Sequence, residues 1–156
     1  MTLRDWANAA ADYRDAIKLD SNLGPAYLGA AWIMATCPDE RFRNPEMAIK
    51  TAQRAMELEG DSDPRYTEAL AAAYANSGQY DSAVAILKPL IEKLPRNQQA
   101  GALARLELYK AETPFRDGVS QPATARTRQP APQAQNPPPQ NRPQARQSSR
   151  PQPFGR

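Results

Sequence analysis

The chain has 156 residues, with 20 Lys plus Arg against 17 Asp plus Glu, 16 Pro, one Cys and no His. Lack of His excludes Ser-His and Cys-His nucleophile pairs and most zinc sites, and a single Cys excludes an internal disulfide. The ordinary composition of the first three quarters suits one domain with a modest core.

The opening MTLRDWANAAADYRDAI alternates charge with small residues and has no continuous apolar run, so no signal peptide is read and a cytoplasmic location is expected. Should the chain be the end of a longer protein, any targeting segment lies upstream. A first helix is expected through Trp6, Ala9, Tyr13, Ala16 and Ile17 to Leu19. The stretch from Pro25 to Cys37 carries no charge, which fits a helix walled in on most sides. It is too short to span a bilayer, which needs about 20 apolar residues, and no membrane span is expected.

Gly24-Pro25, Asn44-Pro45 and Asp63-Pro64 each place a capping residue before a proline suited to a first helical turn. A third helix follows through Ala48, Ala52, Ala55 and Leu58, and a fourth through Tyr66, Leu70 and Tyr74. A fifth runs from about Tyr80 to Leu94 through Ala83, Leu87 and Leu90. Pro89 interrupts it, removing the bond its amide would give to Ala85 at a cost of roughly 3 kcal/mol. A bend is expected there, with the helix continuing. A last helix includes Leu108 and Tyr109, and helical structure is expected over residues 2–116. No stretch alternates with a period of two, so the expected class is all-α with about six helices.

Residues 118–156 change character. They hold six Arg, nine Pro and eight Gln with no Lys and no acid, whereas residues 1–117 hold 14 Lys plus Arg against 17 acids. Too few apolar groups remain to offset the entropy of ordering, so a disordered tail is expected, locally extended near Pro137–Pro139.

The segment PRYTEALAAAYANSGQYDSAVAILKPLIEKLPRN, Pro64 to Asn97, has the length and spacing of a helix-turn-helix repeat. Leu70, Ala71 and Tyr74 in its first helix, Gly78 and Tyr80 in the turn, Ala83 and Leu87 in the second helix and the closing Pro95 resemble a tetratricopeptide repeat. Leu90 departs from the pattern, which favours a small residue there, and looser packing is expected around it. DYRDAIKLDSN resembles the end of another such repeat with no first helix before it. Ala26, Ala30 and Ile33 with Ala48, Ala52, Ala55 and Leu58 resemble a third, whose loop CPDERFRN is lengthened. From Leu28 to Arg116 the chain is similar to a loop-extended variety found in bacterial multi-repeat proteins.

The resemblance implies an antiparallel helix-pair superhelix over residues 1–117, its first unit lacking a first helix, followed by the tail 118–156. It further implies a non-catalytic protein-interaction module that binds a partner segment in a concave groove lined by first helices. Those positions map to Tyr27, Ala31, Met34, Arg65, Glu68, Ala72 and Asn76, with Gln98, Gly101 and Arg105 from the last helix. Tyr27 and Glu68 stand where a carboxylate clamp needs amides or cations, so recognition of a peptide's terminal carboxylate is not carried over.

Other chemistry has less support. Cys37, beside Met34, Thr36 and Pro38, is expected as a buried filler at a helix end. The pairs Asp39–Glu40 and Asp61/Asp63 are expected as solvated turns, without the ligand spacing of a calcium loop. No cofactor, metal or catalytic residue is expected. The tail's arginines offer an alternative function, an adaptor contacting nucleic acid or an anionic surface, although only Phe154 is present there for stacking on bases. A purely structural end of a longer multi-repeat protein is a further alternative. Trp6, Tyr13 and Ile17 are expected to leave an apolar patch on the first helix that drives self-association or is covered in a longer chain.

Overall fold

The computed structural model describes residues 3–119, in which six α-helices follow one another: α1 Leu3–Leu19, α2 Gly24–Thr36, α3 Pro45–Glu59, α4 Pro64–Asn76, α5 Tyr80–Lys93 and α6 Gln99–Lys110. Short 3-10 turns at Glu40–Phe42 and Arg96–Gln98 precede α3 and α6. No strand occurs among the described residues, which belong to one compact unit. The expected disordered tail lies, from residue 120 onward, outside the described residues.

Local chemistry sets most boundaries. At α3 the Asn44 side chain accepts from the Met47 amide at 3.1 Å, with Pro45 in the first turn. At α4 Asp63 accepts from the Arg65 amide at 2.9 Å, and Pro64 again needs no partner for a missing N–H. Gly60 at φ 78° and Gly78 at φ 80° take the left-handed conformation that turns the chain after α3 and between α4 and α5. The third expected cap is corrected: Leu23, not Gly24, stands at the start of α2 and contributes no side-chain bond, while Gly24 is already helical. A Cβ on Gly24 would fall on the Glu59 side chain, so the absence of one lets the end of α3 lie against it.

Each helix packs on its neighbours in an overlapping series: α1 on α2, α2 on α3 and α4, α3 on α4, α4 on α5, and α5 on α6. Small residues make these approaches close. Ala31, Ala35, Ala48, Ala55, Ala69, Ala71, Ala73 and Ala83 are wholly buried. Larger groups concentrate at two places. Leu87, Ile91, Leu106 and Tyr109 fill the space between α4, α5 and α6, with Leu90 half-buried at the rim. Trp6, Ile33 and Cys37 join α1 to α2, with Phe42 packed against them. Trp6 therefore faces α2 and does not form the exposed patch expected of it.

Helix α5 continues through Pro89, which is exposed along with Ala85. Water can thus reach the Ala85 carbonyl that Pro89 leaves without its helical donor. Helix α6 stops at Lys110, short of the expected residue 116. Glu112 adopts φ 51°, the Thr113 amide bonds back to the Leu108 carbonyl at 2.9 Å, and residues 113–117 run on without helical structure. This segment reaches the far end of α2, where the Asp117 amide donates to the Thr36 carbonyl at 2.9 Å.

Candidate functional site

Helices α1, α2, α4 and α6 border a cleft of about 690 Å³. One wall is the face of α1 carrying Trp6, Ala9, Tyr13 and Ala16, and the adjoining wall is Pro25, Leu28, Gly29 and Trp32 of α2. Both walls follow from helical periodicity, since residues three and four apart share a face. Gly29 matters here because a Cβ at that position would fall on the Tyr13 ring. Its absence allows that ring to lie against α2. Arg65 and Glu68 of α4, Arg105 of α6 and Asp117 close the inner end.

That inner end is a connected polar and aromatic cluster. Arg105 and Glu68 pair at 2.6 Å with side chains only 14% and 18% exposed. The Arg105 guanidinium lies 5.8 Å from the Trp32 ring centre and 5.6 Å from that of Phe115, and the two rings are 5.9 Å apart. Such contacts suit a weakly hydrated, delocalised cation. The Trp32 indole N–H donates to Asp117 Oδ2 at 3.0 Å, and Arg116 Nη1 donates to the Ala35 carbonyl at 3.0 Å. Burial lowers the Arg116 pKa from its ordinary value and raises that of the nearby Tyr109 hydroxyl.

The expected groove residues do not stay together. Arg65, Glu68 and Arg105 line the cleft together. Ala31 and Ala72 are buried in the core, Ala31 with Ala52 and Leu70, and Ala72 with Ala35, Ala48 and Ala73. They present no surface to a partner. Tyr27 and Met34 border a different depression of about 410 Å³, between α1 and α3, with Ile17, Ala30 and Met47. Asn76 is spent on a hydrogen bond to the Met34 carbonyl at 3.3 Å. Gln98 and Gly101 are exposed and do not line the cleft.

Trp32, Leu28, Gly29, Phe115 and Asp117 were missed by the sequence-based expectation. The Pro25–Cys37 segment contains no charged residue to mark its outward face, so only the spacing of Pro25, Leu28 and Trp32 could have suggested it. Nothing in the sequence pointed from Phe115 and Asp117 to α2, some 80 residues earlier.

Among the described residues no three His, Cys, Asp or Glu side chains gather as metal ligands, and no helix is long and apolar enough to cross a membrane. Cys37 is buried at the end of α2, and burial pushes its thiol pKa up, away from the reactive thiolate. Asp39 and Asp63 each accept from the backbone and guanidinium of the Arg two residues on, Arg41 and Arg65, which lowers both carboxyl pKa values. Asp39 caps the 3-10 turn and Asp63 caps α4. Compared with protein-family models, curated proteins and solved structures, the chain matches none of them.

Proposed function

We propose that this chain is a non-catalytic interaction module of the tetratricopeptide-repeat kind, holding a segment of a partner protein in the cleft between α1, α2, α4 and α6. The observation that carries the proposal is the make-up of that cleft: mostly apolar walls ending in the withdrawn Glu68–Arg105 pair. Apolar walls supply burial, and a few placed polar groups supply orientation and register. The overlapping series of helices, with small residues at the crossings, supports the repeat assignment.

The test compares the whole chain with Leu28→Lys, which puts a charge on the wall, and with Met47→Lys on the other depression. Proximity crosslinking from a photoreactive group at Ala16 should capture a partner with the parent and with Met47→Lys, but at least tenfold less with Leu28→Lys. Equal capture by all three, with unchanged thermal melts, would remove the cleft from the function. Binding by the basic tail is the competing reading, and it predicts attraction to RNA that falls steeply with salt and depends on residues 118–156.

A further inference from the structure

The inner end of the cleft is already occupied by the chain itself. Residues 113–117 lie half-buried across it, and four groups of this short segment are engaged. The Phe115 ring packs beside Trp32 and under the Arg105 cation. The Arg116 guanidinium and the Asp117 amide take the carbonyls of Ala35 and Thr36. The Asp117 carboxylate takes the Trp32 indole. Ala35 and Thr36 belong to the last turn of α2, where carbonyls have no helical donor and must find one elsewhere. The receiving side is therefore a built acceptor for a non-helical segment: two carbonyls at the end of α2, an indole donor and a caged cation.

None of these four contacts requires that the segment belong to this chain. Any extended peptide can give a backbone N–H to Thr36, an aromatic ring to Arg105 and a carboxylate to the Trp32 indole. Trp32 and Arg105 of the receiving side line the cleft, as does Asp117 of the strap, so a ligand lying along α2 would run into this end. Resting on the cleft-binding function above, we propose that Thr113–Asp117 is an internal occupant, and that the partner it excludes is an extended segment carrying an aromatic residue two places before an acid. Binding then requires displacement of the strap. The strap sets a threshold on affinity, because a competitor must exceed an intramolecular contact held at high effective concentration.

The experiment uses the full chain and a fluorescent peptide of sequence ETPFRDGV, with a second peptide in which the Asp is Ala. The parent should bind neither appreciably. The double variant Phe115→Ala/Asp117→Ala, which removes the strap's ring and carboxylate from the acceptor and so weakens its hold, should bind the first peptide at least tenfold more tightly than the parent and should ignore the second. A double variant that keeps its helical circular dichroism yet binds no better than the parent overturns the inference. Native-state hydrogen exchange on the parent gives a reading that does not depend on the variant folding. The Asp117 amide should exchange at least tenfold faster than the Ala31 amide of α2, through opening of the strap alone. Exchange of both at a common, global rate would equally overturn it. If the peptide fails while partner capture still depends on Leu28, the cleft function stands and only the strap inference falls. If both fail, both fall.

Discussion

Tyr109 is 1% exposed, and its hydroxyl finds no hydrogen-bond partner among the described residues. A buried unsatisfied hydroxyl costs about 1–3 kcal/mol, so Tyr109→Phe is expected to stabilise the fold by about 1 kcal/mol in urea titrations. The same residue makes stability sensitive to alkali. Burial, the largest influence, raises its folded pKa above the ordinary 10.0, so the folded state keeps a proton that the unfolded chain releases. This contribution is complete below about pH 10 and is lost as pH climbs from there toward the folded value. Alkaline melts of Tyr109→Phe should accordingly fall less steeply than those of the parent. At Ala71, wholly buried between α4 and α5 with Ala75, Ala83 and Leu87, the opposite change is informative. Ala71→Leu should overpack that crossing and lower stability by about 1–3 kcal/mol, and a melt identical to the parent's would mean that the crossing is not close.

Among the helices, α5 carries the clearest conflict between propensity and structure. It runs from Tyr80 to Lys93 with Pro89 inside, although an interior proline is unfavourable by about 3 kcal/mol relative to alanine. Because the position is exposed, Pro89→Ala should raise the midpoint of denaturation and leave binding in the cleft unchanged. Loss of binding in that variant would show that the array's geometry depends on the proline.

The same helices show what the sequence could and could not disclose. Six helices were legible because apolar residues recur at three- and four-residue steps and because Asn44, Asp63 and their prolines cap in the expected way. In α4 the resemblance points to Arg65 and Glu68, and both line the cleft, as charged side chains are kept off the packed face. No such mark exists in α2, where GPAYLGAAWIMAT is apolar all round and buries parts of several faces. The repeat resemblance implies Tyr27, Ala31 and Met34 there, whereas Leu28, Gly29 and Trp32 line the cleft, and no charged residue separates the two stripes. The end of α6 was missed for a different reason. Leu106, Leu108 and Tyr109 sustain the helical pattern that suggested a longer helix, but Pro114 disfavours helix at Thr113, and α6 ends at Lys110.

Taken as a whole, the array is held by contacts between neighbours in the series, so its parts need not be lost together. The first helix is the most separable. It packs on α2 and the 3-10 turn Glu40–Phe42, whereas α2 is also held by α3, α4 and the returning segment at Asp117. Trp6, 4% exposed against Ile33 and Cys37, is its main anchor. Trp6→Ala removes that anchor at a cost of about 3–5 kcal/mol, a loss falling on the α1 docking contact and not on α4 to α6. The substitution also leaves Trp32 as the sole remaining indole, since the chain has only two Trp. Trp32 lies beneath Arg105 and beside Phe115, and so reports on the inner end of the cleft. Heating this variant should give a circular dichroism signal that declines first, as the 17 residues of α1 lose their helix, followed by a fluorescence transition at higher temperature. Coincident midpoints for the two probes would show that α1 and the rest of the array unfold as one cooperative unit.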